Sequence, residues 1–394
     1  MFKKLLLFLL FNVTCQAYKA LVVVPIADLL GQSSKTIEKI DPEMFYANLL
    51  PSTEFKTCYR IHQLLFHEKV EVIKEDGKEI LVEVPNIFFS ARASRKASPD
   101  TAKADKYFNK FWTLKKNILP LDKIRKTDLT KIPEMNSFRE KSHDKNYVTL
   151  LKPFRVFNNQ LILSTGTKFV IKEKLENGYK VFVFKPKLKK FEEIFIPNKY
   201  ILRRTANKIS DFLRILKSWI RKKNNIIPYV WGGSSFCNTF TKDCESQEFH
   251  DRFAKRKIKP GMDCSGLVYR AAQMANLPYY FRNTRTLSEH LKFLDKNERI
   301  ENGDLIFFKG HVLVVSDVKK DLCIEARGYS HGYGFIQEIP LNREFKGIDT
   351  FTELKKKYFN NESLERLNSE GKVIRIVSDF KVLKLKSCFD WKYN

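Results

Sequence analysis

The chain has no apolar run long enough to cross a bilayer. A helical span takes roughly 20 residues, and the most apolar stretch, Leu5 to Val13, is less than half that length. A membrane-spanning helix is therefore excluded. There is also no compact arginine-rich or aromatic-interleaved module, so no specific nucleic-acid partner is expected. Metal ligands are equally scarce: Cys237 and Cys244 share one polar loop, but only His250 lies near them. That is too few for a closed zinc site, and no metal or other cofactor is expected. Acidic residues are under-represented, with 45 Asp and Glu against 72 Lys and Arg, giving a formal net charge of +27. Such a balance favours any polyanionic surface. The excess is lysine spread along the whole chain, however, and it selects no particular partner.

What is present begins with the N-terminus. Met1-Phe2-Lys3-Lys4 is a short positive region, the apolar stretch follows it, and Cys15-Gln16-Ala17 offers small residues at the positions a signal peptidase inspects. Residues 1–17 read as a secretory signal cleaved near Ala17, which places the mature chain outside the cytoplasm, secreted or in the periplasm and cell envelope. Asn12-Val13-Thr14 before Cys15 fits a lipobox poorly. Among the cysteines left after cleavage, Cys237 and Cys244 are close enough in sequence to form a local disulfide in an oxidising compartment.

At 394 residues, with 43% hydrophobic and 30% charged residues, the chain is expected to fold as two or three domains. Residues 18–100 read as a small all-β unit, with Val70-Glu71-Val72-Ile73 and Ile80 to Val84 on either side of an Asp76-Gly77 turn. A mixed, linker-like region covers 101–146. A second all-β unit, 147–205, alternates apolar and polar residues around an Asn177-Gly178 turn. From 206 to 394 the pattern changes. Phe212, Leu213, Leu216 and Trp219 recur at helical spacing, Cys264 leads into a second apolar helix, and strands follow. Helix then strands, with sheet partners adjacent in sequence, predicts an α+β fold with an antiparallel sheet.

The chemistry-bearing pair is Cys264 in Asp263-Cys264-Ser265-Gly266-Leu267, and His311 in Gly310-His311 at the mouth of Val312-Leu313-Val314-Val315. A cysteine at a helix start sits where the macrodipole and unpaired amides favour the thiolate. A histidine opening a neighbouring strand can act as its base, and the imidazole needs a third polar group to fix its tautomer. Two residues qualify. Glu325 is a lone carboxylate between Ile324 and Ala326 on the next predicted strand, where it needs a buried partner. His331 sits in the looser stretch Gly328 to Gly334.

Four motifs occur in order: Pro228-Tyr229-Val230-Trp231-Gly232-Gly233, Asp263 to Val268, Asn302-Gly303-Asp304-Leu305-Ile306-Phe307-Phe308, and Gly310-His311-Val312. Over roughly Ile209 to Leu341 the chain resembles the NlpC/p60 cell-wall cysteine peptidases. The resemblance implies a papain-like catalytic domain preceded by two small SH3-like barrels. It makes Cys264 the nucleophile, His311 the base and Tyr229 a hydroxyl donor to the oxyanion. Asp263 and Ser265 match residues that contact the free amino end of the substrate, and Thr284 of Arg282-Asn283-Thr284 falls in the same subsite. The implied substrates are peptidoglycan stem peptides, cut between γ-D-glutamate and the diamino acid. In members with two barrels, the first selects free, trimmed peptides.

Two departures stand out. The family's third catalytic position is usually histidine, asparagine or glutamine, and here it falls on Glu325. The interval 234–261 is longer than usual and reads as an insertion, a lid or an extra subsite wall. Two other functions use the same residues differently: a wall-binding protein with a decayed catalytic domain, or an acyltransferase or amidase built on the same cysteine and histidine. Oligomeric state is not written in the sequence.

Overall fold

A computed structural model describes residues 17–48, 59–90, 107–135, 137–138, 146–220, 226–237, 260–328 and 333–392. The leader, Cys58, Cys244, His331 and most of the 234–261 insertion lie outside these residues. Among the described residues no helix is long and apolar enough to cross a membrane.

The N-terminal residues form a seven-stranded antiparallel sheet from Tyr18–Val22 (β1), Ile26–Leu30 (β2), Arg60–Leu65 (β3), Lys69–Asp76 (β4), Glu79–Glu83 (β5), Lys110–Leu114 (β6) and Ile118–Pro120 (β7), ordered β3-β2-β6-β5-β4-β1-β7. Two of these strands, β6 and β7, come from the stretch that reads as a linker. Their few alternating residues give little periodic signal alone, yet Phe111 is fully buried between the partners that β6 finds. A second antiparallel sheet follows, made of Tyr147–Thr149 (β8), Lys168–Leu175 (β9), Gly178–Lys185 (β10) and Lys190–Pro197 (β11) in sequence order. The Asn177-Gly178 turn joins β9 to β10, where Leu175 faces Gly178.

The C-terminal half is α+β. Helix Lys208–Trp219 (α1) is capped by Asn207, whose side chain accepts from the Ser210 amide at 3.0 Å, and it buries Phe212, Ile215, Leu216 and Trp219. Helix Cys264–Met274 (α2) is buried on every side. The sheet combines Leu305–Phe308 (β12), His311–Asp317 (β13), Leu322–Ala326 (β14), Ile336–Pro340 (β15) and, at the far edge, Phe380–Leu383 (β18). Its order is β15-β14-β13-β12-β18, antiparallel throughout. Leu364–Leu367 (β16) and Val373–Val377 (β17) form a separate hairpin.

Both faces of this sheet are covered. Val312, Val314 and Ile324 pack with Leu267 and Val268 of α2, while Leu313, Val315 and Cys323 pack with Phe345, Phe351 and Leu364. Burial on both faces explains why β13 reads as an unbroken apolar run instead of alternating.

The first sheet is bolted to the C-terminal half. Ala20, Leu64 and Val82 share one core with α2 and β13. Arg270 of α2 pairs with Glu68 at 3.0 Å, both buried. Gln63 accepts from the Ser235 hydroxyl at 2.7 Å, and Phe88 donates its amide to Tyr280 O at 2.8 Å and accepts from the Arg282 amide at 3.0 Å.

Two buried histidines are held neutral, His62 at the seam with the C-terminal half and His67 against the second sheet. His62 Nδ1 accepts from Arg282 Nε at 2.9 Å, and His67 Nε2 accepts from the Phe184 amide at 3.1 Å, so protonation would break either bond. Burial pushes His67 down to about 3; burial and then Arg282 and Arg270 push His62 well below the usual imidazole range. The unfolded chain therefore takes up two protons near pH 6.5 that the folded chain refuses. Stability falls as the pH drops below that value, by up to about 3 kcal/mol per pH unit between roughly pH 5.5 and 4.5. Urea midpoints at pH 7, 6 and 5 check this; an unchanged or rising midpoint on acidification would contradict it.

Candidate active site

Asp263 caps α2, and Cys264 is its first residue. The Asp263 carboxylate accepts five hydrogen bonds: from the Gly266 amide at 2.5 Å, the Gly232 amide at 2.9 Å, the Ser265 hydroxyl at 3.1 Å, and Arg282 Nη1 and Nη2 at 3.2 and 3.1 Å. Arg282 also reaches the Ser265 hydroxyl at 3.0 Å. One carboxylate thus ties the helix start to the Gly232 loop and, through Arg282, to His62 of the first sheet. Thr284 lies two residues beyond Arg282, half-buried in the first turn of the short helix Thr284–His290.

The glycines of the motifs are required by close approach. Gly232 has φ +70°, and a Cβ there would lie 2.2 Å from Arg60 O. A Cβ on Gly266 would lie 2.0 Å from Gly233 O. Any side chain would push either the first sheet or the Gly233 loop away from the head of α2.

His311 is the first residue of β13. Phe308 faces it across the turn from β12, and Gly310 in that turn takes φ +87°. Val314 pairs with Ile324; continuing that register sets Glu325 opposite Leu313, a diagonal neighbour of His311 on one face. His311 Nε2 and Glu325 Oε2 are 2.7 Å apart. Glu325 is fully buried, and Gln337 Nε2 donates to its other oxygen at 2.8 Å. Burial opposes its ionisation, but the bond from His311 and the guanidiniums of Arg327 and Arg366 outweigh burial and hold it well below the usual carboxylate range. An ionised carboxylate only accepts, so Nε2 carries the proton and Nδ1 keeps its lone pair.

A helix start by itself favours the thiolate, and burial acts against it here. Burial and then the charge of Asp263 push the Cys264 thiol up to about 12, against the opposing pull of the Val312 and Ser265 amides and Arg282. Burial and then Arg366 push His311 down to about 4, although Glu325 pulls the other way. Both shifts favour the neutral forms, thiol and imidazole. The Val312 amide beside the Cys264 sulfur shows that α2 starts against the beginning of β13.

Tyr229 lies in the same buried cluster as Cys264, with its amide donating to Gly334 O at 2.8 Å and its ring against Gly328. Cys237 is close to Ile162 O, at 3.5 Å from sulfur to oxygen. Sequence reasoning missed the buried residues behind Glu325: Arg327, Glu344 and Arg366. Arg366 lies 41 residues after Glu325 in an ordinary-looking strand, and no local signal points to it.

The described residues set a buried cysteine at the head of α2 and a buried histidine–carboxylate pair at the start of β13. Residues 227–332 match the model of the NlpC/P60 family, so the chain carries an NlpC/P60 domain there. Among solved structures, it is similar to an NlpC/P60 family protein from Bacillus cereus, with 17% identity, 82% of this chain and 94% of that chain covered, and a TM-score of 0.48. It is also similar to NlpC2 from Trichomonas vaginalis, with 11% identity, coverage of 83% and 94%, and a TM-score of 0.31. The peptidoglycan hydrolase RipB from Mycobacterium tuberculosis matches at 24% identity, over 34% of this chain and 58% of that one, with a TM-score of 0.22. No curated protein matches the chain.

Proposed function

We propose that this chain is a secreted cysteine endopeptidase that hydrolyses the bond between γ-D-glutamate and the diamino acid in peptidoglycan stem peptides. The observation that carries this reading is the 2.7 Å bond that fixes His311 on Glu325, within a domain that begins its buried helix on Cys264 and matches the NlpC/P60 model.

The chemistry follows from the neutral pair. The thiol proton passes to His311 Nδ1 as sulfur attacks the γ-carbonyl carbon of the glutamate. Negative charge develops on the carbonyl oxygen, where the Tyr229 hydroxyl donates. The C–N bond then breaks as His311 returns its proton to the leaving amine, and a thioester remains on Cys264. Water attacks that thioester with His311 again taking the proton, and the C–S bond breaks to restore thiol and imidazole. Ser265 and Thr284 meet the substrate's free amino end, and Asp263 anchors that subsite through Arg282. The first β unit, read as an SH3-like barrel, closes one side of the cleft; its contacts at Gln63, His62 and Phe88 support that role.

Mass spectrometry of products from defined tri- and tetrapeptides and from intact sacculi tests the reading. L-Ala-γ-D-Glu released from the soluble peptides, and little from sacculi, is expected. Cleavage at another bond, or of sacculi alone, would overturn it.

A further inference from the structure

The hairpin strand β16 lies outside residues 227–332, the part that matches the family model, yet it sends a side chain into the site. Arg366 is buried, and its Nη2 donates at 3.0 Å to Glu325 Oε2, the oxygen that His311 Nε2 reaches at 2.7 Å. Its Nε donates to Glu344 Oε1 at 2.6 Å, and Arg327 Nη1 donates to Glu344 Oε2 at 2.7 Å. The Arg366 guanidinium lies 4.9 Å from the centroid of the Phe308 ring, which itself lies 5.4 Å from the His311 ring.

Glu325 on β14, Arg327 just after it, and Arg366 on β16 face the imidazole from one side, with Glu344 behind them. Cys264 lies at the head of α2, and Arg375 of β17 stacks on Phe308 at 5.4 Å. Burial and Glu325 push Glu344 up to about 7, against the pull of Arg366 and Arg327. Among these groups Glu325, Glu344, Arg327 and Arg366 are buried together, while Arg375 is exposed.

We infer that Arg366 is a positioning residue of this site: by sharing Glu325 Oε2 with His311 it fixes the carboxylate and cancels its charge. The imidazole is thereby oriented by a hydrogen bond without being converted to imidazolium. A His311 already protonated at rest could not take the thiol proton, so the balance decides whether the base is available. An amide at the third position would orient without charge; Glu325 together with Arg366 achieves the same end. The inference rests on reading His311 as the base.

The test compares Arg366→Gln, which can still donate to Glu325 but carries no charge, with Arg366→Lys, which keeps the charge. The titration of His311 is followed by NMR of histidine-labelled full-length protein, assigned through His311→Gln. Without the positive charge, the uncompensated carboxylate raises the His311 midpoint by about one unit or more. The acid limb of kcat/KM on wall peptides moves up with it, and Arg366→Lys stays near the wild type. An unmoved midpoint in folded Arg366→Gln, or an equal rise in Arg366→Lys, overturns the inference. If Arg366→Gln does not fold, the apolar Arg366→Met is titrated in its place, and there too the midpoint has to rise. The NMR readout stands even if wall peptides prove not to be the substrate, which separates failure of this inference from failure of the proposed function.

Discussion

Replacing Cys264 by alanine lowers hydrolysis of stem peptides by roughly 10⁶-fold, the scale on which removal of a catalytic nucleophile is felt. The fold survives. Cys264 is buried at the head of α2 but does not cap it, because Asp263 does, and the lost sulfur costs only about 1 kcal/mol. Steady-state assays beside denaturant unfolding separate the two effects. The resting thiol's high pKa adds a second expectation to the same comparison: wild-type activity holds on the alkaline side instead of collapsing as a preformed thiolate–imidazolium pair loses its proton. On the acid side activity is lost as pH falls through His311's value of about 4, because the protonated ring has no lone pair for the thiol proton.

Glu325→Ala is the second large effect, and it strikes activity and stability together. Without the carboxylate nothing fixes the His311 tautomer, and kcat falls by about 10⁴-fold, as when a triad carboxylate is disabled. Arg366 and Arg327 are left with Glu344 alone inside a fully buried cluster. Breaking a buried ion pair from one side costs about 3–5 kcal/mol. Glu325→Gln divides these losses: its amide oxygen still accepts from Nε2, so it retains far more activity than Glu325→Ala, while the excess positive charge still lowers stability. Equal activity in the two variants would show that Glu325 does not act through His311.

These expectations rest on residues of unequal legibility in sequence. Cys264 and His311 were readable because each sits where local pattern is strongest, a helix start and an apolar strand. Glu325 was readable because a carboxylate flanked by Ile324 and Ala326 has no stable place in an apolar strand without a partner. Arg366 was not, because its role depends on a hairpin folding back onto β14, and nothing in Leu364-Glu365-Arg366-Leu367 separates an inward arginine from a solvated one. The β6 and β7 strands were hidden for a related reason: short segments acquire their structure from the sheet they join. A helix start favours thiolate and a carboxylate favours imidazolium, but burial opposes both, and here burial prevails.

Acylation of Cys264 during turnover is read out by acid-quenching the reaction with an L-Ala-γ-D-Glu-diamino acid peptide, followed by intact-mass analysis and peptide mapping. The predicted result is a transient mass increment equal to the L-Ala-γ-D-Glu acyl group, confined to the fragment containing Cys264 and absent from Cys264→Ala. Acylation of a different residue, or undiminished hydrolysis by Cys264→Ala, would contradict it.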